Sequence, residues 1–167
     1  LYIMKNILLI GNSGGLGSAL QAAWHVRGGE VMGLSRQTDG LDITDEDTVE
    51  RILETIKTRF DLIFIATGGL ETENGRPEKS LSDLSKRAFQ EQFLLNAIGP
   101  ALVLKHVPKL LHKDRATIVA TLSARVGSIG DNHLGGWYSY RASKAALNQI
   151  VHSAAIELSR KRPKSIC

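Results

Sequence analysis

The chain has 167 residues, enough for one domain with a proper hydrophobic core. Its apolar content of 43% and charged content of 23% are ordinary for a globular protein, and no apolar run approaches the roughly 20 residues that a membrane span needs. The net charge of +4 comes largely from the basic residues 160–164, at a predicted helix end where cations are favoured in any case. These features argue against nucleic acid and membranes as partners.

The chain ends carry little sign of targeting or metal chemistry. Residues 1–6 lack the basic region, apolar run and small-residue cleavage site of a secretion signal. Cys167 is the single cysteine, which excludes an internal disulfide and a cysteine-based metal site. We therefore expect a cytoplasmic protein without a metal.

The first predicted strand, residues 5–10, leads directly into a glycine-rich turn, and a helix is predicted from about Ser18 to Arg27. In this context small residues let the backbone approach a pyrophosphate, while the helix N-terminus offers free N–H groups and a positive dipole end. The spacing is G-x-x-x-G-x-G rather than the G-x-G-x-x-G of larger dehydrogenases. The candidate phosphate-binding residues are Gly11, Asn12, Ser13, Gly15, Leu16 and Gly17.

The second predicted strand, residues 30–35, ends at Ser35 and is followed by Arg36. An acidic residue at this position would hold a ribose 2′-hydroxyl and repel a 2′-phosphate. A hydroxyl and a guanidinium suit a phosphate instead, so this strand end favours NADP(H) over NAD(H). The alternative interpretation is an ordinary surface arginine.

Residues 40–44 are too short for more than an edge strand. Asp42 could accept a hydrogen bond from an adenine amino group while Ile43 packs against the ring. Thr44 is the predicted N-cap of a helix that continues to about Arg59, because three acidic residues fill the first turn after it.

The next strand, residues 61–66, is almost continuously apolar. Strands that are buried on both faces have this pattern, which predicts a parallel sheet. Its carboxyl end carries Thr67, Gly68 and Gly69, at the edge where ligands bind in such sheets.

A long helical pattern follows over about residues 82–111 and contains Asn96 shortly before Gly99 and Pro100. A buried asparagine must be hydrogen-bonded. Asn96 could stabilise a kink at this point or bind a water that serves an active site, and the sequence favours neither.

Tyr140 and Lys144 lie four residues apart near the start of the last helix, predicted over about residues 137–162, and therefore on one helix face. An ammonium beside a phenol favours phenolate and would lower the tyrosine pKa from about 10. Such a tyrosine could exchange a proton with a carbonyl or an alcohol. A surface Tyr–Lys pair is the plainer alternative. This helix follows a strand at residues 116–122, and residues 164–167 are predicted to open another strand.

In this order the motifs resemble the short-chain dehydrogenase/reductase family over essentially all of residues 4–167. Residues 123–144 further resemble the C-factor-like branch, which is related to the carbonyl reductases. The resemblance implies one α/β domain, a Rossmann-type doubly wound parallel sheet in three layers that ends after the start of a sixth strand, without the substrate lid of the family. The motifs are the glycine turn, Asp42, Thr67-Gly68-Gly69, Asn96, a serine after the strand 116–122, and Tyr140-x-x-x-Lys144.

The resemblance also implies a role for each motif. Tyr140 would be the general acid/base, Lys144 would lower its pKa and hold the nicotinamide ribose, and Asn96 would anchor a proton-relay water. The glycine turn would bind the pyrophosphate and Asp42 the adenine. The implied reaction is hydride transfer between NADP(H) and a carbonyl or alcohol. The implied assembly is a homodimer or homotetramer that uses the two long helices.

The substrate-orienting serine is where the sequence departs from the family. Counting back from Gly127 places Ala124 at the usual serine position. Ser123 precedes it, and Ser128 follows the glycine. Because residues alternate sides in an extended strand, Ser123 can serve only if the chain is irregular there. We favour Ser123 over Ser128.

Three functions therefore compete. The first is an NADP(H)-dependent reductase of an aldehyde, ketone or quinone. The second is a sensor or signalling module that binds NADP(H) without catalysis, as the displaced serine suggests. The third is a structural protein that merely retains the fold. The Tyr140–Lys144 pair favours catalysis, since a pure sensor does not need it.

Overall fold

Five parallel strands form one sheet in the order β2-β1-β3-β4-β5 in the computed structural model, which describes residues 5–72 and 75–167. The strands are β1 (Asn6–Ile10), β2 (Glu30–Leu34), β3 (Leu62–Ile65), β4 (Thr117–Thr121) and β5 (Ser165–Ile166). Strand β1 pairs with β2 on one side and with β3 on the other, so the strand order reverses direction at β1. The topological switch point therefore lies between β1 and β3, which is where ligands bind in open α/β sheets.

Six α-helices connect and flank the described strands. They are α1 (Gly15–Val26), α2 (Arg36–Asp39), α3 (Glu46–Thr55), α4 (Lys86–Phe93), α5 (Gly99–Leu110) and α6 (Tyr138–Lys161). Short 3₁₀ turns occupy Leu81–Asp83 and Arg125–Gly127, and a π-helical turn at Leu94–Ile98 joins α4 to α5. This arrangement confirms the predicted Rossmann-type α/β fold.

The apolar runs form the centre of the sheet because both of its faces are covered. The four residues Ile7–Ile10 of β1 are buried, as are Leu62, Ile63 and Ile65 of β3. Helices α3 and α5 supply Val49, Leu53, Val103 and Val107 to the same core. The rigid centre fixes the positions of the loops at the carboxyl edge.

Residues 40–44 do not form the expected edge strand. Asp42 accepts hydrogen bonds from the amide and the hydroxyl of Thr44, at 2.9 and 2.6 Å, which closes a turn instead. The predicted N-cap at Thr44 was wrong by one residue, since the Asp45 carboxylate accepts the amide of Asp47 and α3 ends at Thr55, before Arg59. Because residues 40–44 are not a strand, the predicted strands at residues 116–122 and 164–167 are β4 and β5.

The predicted helix over residues 82–111 is broken into three parts around Asn96. The π-helical turn places one extra residue per turn there, and Pro100 follows at the start of α5. Proline lacks an amide hydrogen, so the ladder of hydrogen bonds cannot continue unchanged through it. A π-helical turn therefore lies at Asn96, and π-turns of this kind are frequent at functional sites.

Candidate active site

The glycine turn packs so closely that only hydrogen fits at two of its positions. Gly11 has φ +91°, and a Cβ at Gly17 would lie 2.1 Å from the carbonyl oxygen of Gly11. Helix α1 begins at Gly15, three residues earlier than predicted, and its N-cap Gly14 has no side chain to bond the free amides. The N–H groups of Gly15, Leu16 and Gly17 therefore precede the first intrahelical bond, in which Ser18 donates to Gly14.

This free turn fits a pyrophosphate. Helix N-terminal amides and the dipole both attract an anion, and Gly15 has no atom within 4 Å of the place a Cβ would take. Ser13 is also exposed beside the turn. NADP(H), which the sequence predicts, has the pyrophosphate that such a turn binds.

Asn12 fastens the turn to its neighbours. Its Nδ2 donates to Gln21 Oε1 of α1 at 3.0 Å, and a Cβ at Gly33 of β2 would lie 2.3 Å from the same nitrogen. Its Oδ1 is buried and has no partner among the described residues. Asn12 therefore serves the shape of the turn more directly than it serves a ligand.

The end of β2 brings Arg36 and Asp42 together. The guanidinium of Arg36, 81% exposed, lies 3.8 Å from an oxygen of Asp42. Burial alone would raise the pKa of Asp42, but the hydrogen bonds from Thr44 and the charge of Arg36 outweigh it, so this pKa is lowered. Ser35 is buried, and its hydroxyl caps α2 by accepting the amide of Thr38 at 3.2 Å.

Ile43 lies deeper than the sequence suggested. It is buried in the core and packs against the start of α5, where a Cβ at Gly99 would lie 2.7 Å from its Cδ1. Little of its side chain is therefore open to an adenine ring.

The segment after β3 meets Asn96 and Lys144 at one point. Gly68 has φ +133°, and a Cβ there would lie 2.8 Å from both Asn96 Oδ1 and Lys144 Nζ. The Asn96 side chain accepts the Gly69 amide at 3.0 Å and donates to the Gly69 carbonyl at 3.0 Å. Three of the sequence-predicted groups thus converge, although they are far apart in the chain.

Tyr140 and Lys144 lie on one face of α6, as predicted. Lys144 is buried, and its Nζ donates to the Leu122 carbonyl at 3.0 Å and lies 5.9 Å from the centroid of the Tyr140 ring. No hydrogen bond among the described residues joins this ammonium to the phenol oxygen.

The expected lowering of the tyrosine pKa was wrong for the protein alone. Burial raises the pKa of Tyr140 and lowers the pKa of Lys144, because both charged forms lose solvation. The ammonium donates to the Leu122 carbonyl and lies beside the face of the ring, and burial is the cause of the raised tyrosine pKa.

Each of the two candidate serines is hydrogen-bonded to another residue of the chain. Ser123 lies in the irregular chain between β4 and the 3₁₀ turn, and its hydroxyl donates to Asn148 Oδ1 at 2.6 Å. Ser128 accepts the amide of Asp131 at 3.3 Å. Ala124 is the N-cap of the 3₁₀ turn and offers no hydroxyl.

Three residues that support the site were not indicated by the sequence. Gln92 is buried and accepts Asn96 Nδ2 at 2.5 Å, and Asn148 holds Ser123. Both are four residues along a helix from a predicted site residue, so the helical period could have found them. Buried Glu78 accepts the amide of Ser139 at 3.2 Å, but it lies in a polar loop without a pattern.

The sheet, its switch point and the glycine turn define a Rossmann-type α/β domain. A family model described as enoyl-(acyl carrier protein) reductase matches residues 28–164. The chain belongs to the short-chain dehydrogenase/reductase family, and the predicted family resemblance is confirmed.

Individual relatives agree with this assignment. A 1-hydroxy-2-glutathionyl-2-methyl-3-butene dehydrogenase of Rhodococcus sp. (strain AD45) is 27% identical over 88% of this chain and 68% of its own length. The C-signal of Myxococcus xanthus is 37% identical over 47% of this chain and 48% of its own length. A Burkholderia multivorans short-chain dehydrogenase/reductase solved with bound NADP has a TM-score of 0.81 at 28% identity, over 94% of this chain and 74% of that one.

Two further observations concern other partners. Within residues 5–72 and 75–167, no group of three or more His, Cys, Asp or Glu side chains could hold a metal ion. No helix in the described part of the chain is both long and apolar enough to cross a membrane.

Proposed function

We propose that the protein is an NADP(H)-dependent oxidoreductase that transfers a hydride between the nicotinamide and a carbonyl or alcohol substrate. The observation that carries the proposal is the convergence of Gly68, Asn96 and Lys144 at the carboxyl edge, beside Tyr140. When bound, the cofactor supplies or accepts the hydride, so the protein provides placement and proton transfer.

Tyr140 is the proposed general acid/base. Its raised pKa keeps the phenol protonated at neutral pH, as donation of a proton to a carbonyl oxygen requires. Lys144, held by Leu122, would place a positive charge beside the ring and hold the nicotinamide ribose. Asn96 would fix the loop at Gly69 and support a proton-relay water.

Ser123 is the proposed substrate-orienting residue. The Ser123 hydroxyl donates its hydrogen bond to Asn148. To orient a carbonyl, this hydroxyl must rotate and donate to the substrate instead. The turn at residues 11–17 would bind the pyrophosphate.

Cofactor preference is proposed from the end of β2. The Arg36 side chain is exposed and would turn from Asp42 toward a 2′-phosphate, because a bidentate guanidinium–phosphate pair is a strong contact. Asp42 would then bind the adenine, with the loop at Thr67 nearby. The bound NADP in the Burkholderia relative supports the same preference.

A non-catalytic NADP(H)-binding sensor or signalling module is the second candidate. It is favoured by the alanine at position 124 and by the engagement of Ser123 with Asn148. The partial match to the Myxococcus C-signal supports the C-factor-like branch of the family. We further propose a cytoplasmic homodimer or homotetramer that uses α5 and α6.

A parallel titration with NADPH and NADH, followed by cofactor fluorescence, tests the proposal. We expect NADPH to bind about tenfold or more tightly than NADH, since one charge-assisted contact is worth about 1.5–3 kcal/mol. Equal or weaker affinity for NADPH would overturn the assignment of Arg36. If NADPH binds but no added aldehyde causes its oxidation, the result would favour the sensor.

A further inference from the structure

Trp137 has an unusual backbone for a large residue. Its φ of 50° and ψ of 43° are left-handed, and it is the one non-glycine residue with positive φ in the described chain. Gly135 and Gly136 precede it with φ 67° and 65°. A third glycine would adopt this conformation without strain, so the physical reason for tryptophan must lie in its side chain.

Glu78 holds Trp137 in this conformation. The Glu78 carbonyl accepts the Trp137 amide at 2.5 Å, and its carboxylate accepts the Ser139 amide at 3.2 Å. The carboxylate is buried at the N-terminus of α6, where the helix dipole favours a negative charge. Two bonds from one residue therefore fix the segment that immediately precedes Tyr140.

The fixed indole flanks the proposed acid/base. The ring centroids of Trp137 and Tyr140 are 6.3 Å apart with an interplanar angle of 70°, an edge contact of the kind that aromatic pairs prefer. Trp137 nevertheless remains 37% exposed. Ile129 and Leu134, in the same connection between the 3₁₀ turn and α6, are 86% and 93% exposed.

We propose that Trp137 is a specificity-determining residue that forms a flat apolar wall beside Tyr140 and selects carbonyl substrates with a planar aromatic ring. The inference rests on the proposed oxidoreductase function and adds the substrate class. A flat ring can stack on the exposed part of the indole while its carbonyl oxygen reaches the phenol, whereas a short aliphatic chain gains little from that surface.

The first test compares para-nitrobenzaldehyde with propanal as substrates for NADPH oxidation. Trp137→Gly deletes the indole and suits the left-handed backbone, so this variant should fold. We expect kcat/KM for the aromatic aldehyde to fall about tenfold and that for propanal to change less than about twofold. Trp137→Phe should restore most of the aromatic preference.

Trp24 offers a matched control. It is the other tryptophan of the chain, and it makes an edge contact with Phe64 at a distance of 5.8 Å between ring centroids. Trp24→Phe should keep the preference of the wild type. Equal losses for both aldehydes in Trp137→Gly, or an unchanged preference, would overturn the inference.

Tryptophan fluorescence gives a readout that does not depend on turnover. With NADP⁺ present, para-nitrobenzaldehyde should quench the wild type and Trp24→Phe, and the quenching should disappear in Trp137→Phe. Quenching that persists in Trp137→Phe, or none in the wild type, would contradict the proposed wall. NADPH binding measured on the same samples separates this failure from failure of the proposed function.

Discussion

The two halves of the site are built differently. At the cofactor half, one continuous segment from β1 into α1 places backbone amides, and its shape depends on Gly11 and Gly17, where the backbone leaves no room for a side chain. At the catalytic half, backbone and side-chain groups come from the loop after β3, the π-turn, the chain just after β4, and α6. The first half is thus specified by local sequence, and the second by contacts between segments far apart in the chain.

Gly17→Ala should break the cofactor half and have the largest effect. The new methyl group would lie 2.1 Å from the Gly11 carbonyl oxygen, so the helix start must move. We expect NADPH affinity to fall about 100-fold, equivalent to one or two lost charge-assisted hydrogen bonds, and the free energy of unfolding to fall by about 1–3 kcal/mol.

Gly15→Ala is the matched control for stability. This position has open space around it and lies in the first turn of α1, where alanine is a better helix former than glycine by up to about 1 kcal/mol. Denaturant unfolding should show unchanged or higher stability. Equal destabilisation by both substitutions would refute the close packing inferred at Gly17.

The pH dependence sharpens the description of the catalytic half. Burial raises the pKa of Tyr140 above its ordinary value of 10.0, so the proton donor remains present at neutral pH. Aldehyde reduction should therefore be flat from about pH 6 to 9 and fall about tenfold per unit above the tyrosine pKa. Alcohol oxidation needs the phenolate and should rise with pH over the same interval. An ionisation near pH 7 governing reduction would contradict this assignment.

The fold was predictable because its signals are local. The apolar runs of β1 and β3 and the periodicity of α6 each identify an element without knowledge of its neighbours. Asp42 shows the limit of such signals. Residues 40–44 were predicted as a short strand, but two hydrogen bonds that Asp42 accepts from Thr44 close a turn there.

The sequence indicated which residues belong to the candidate site better than it indicated the contacts that these residues make. The spacing of Tyr140 and Lys144 placed them on one face, but burial reversed the expected direction of the tyrosine pKa. Ser123 stands in the irregular segment that its proposed role requires, yet its bond to Asn148 depends on how α6 packs against the segment that follows β4. Glu78 lies 61 residues before its partner Ser139, which no sequence period records.

Tyr140→Phe tests the central claim most directly. The substitution removes the phenol oxygen and keeps the ring that packs against Trp137. We expect the rate of aldehyde reduction to fall by about 10²–10⁴-fold, the usual contribution of a positioned acid/base, while NADPH affinity stays within a few-fold. Turnover close to that of the wild type, with cofactor binding intact, would contradict the role of Tyr140 as the proton donor.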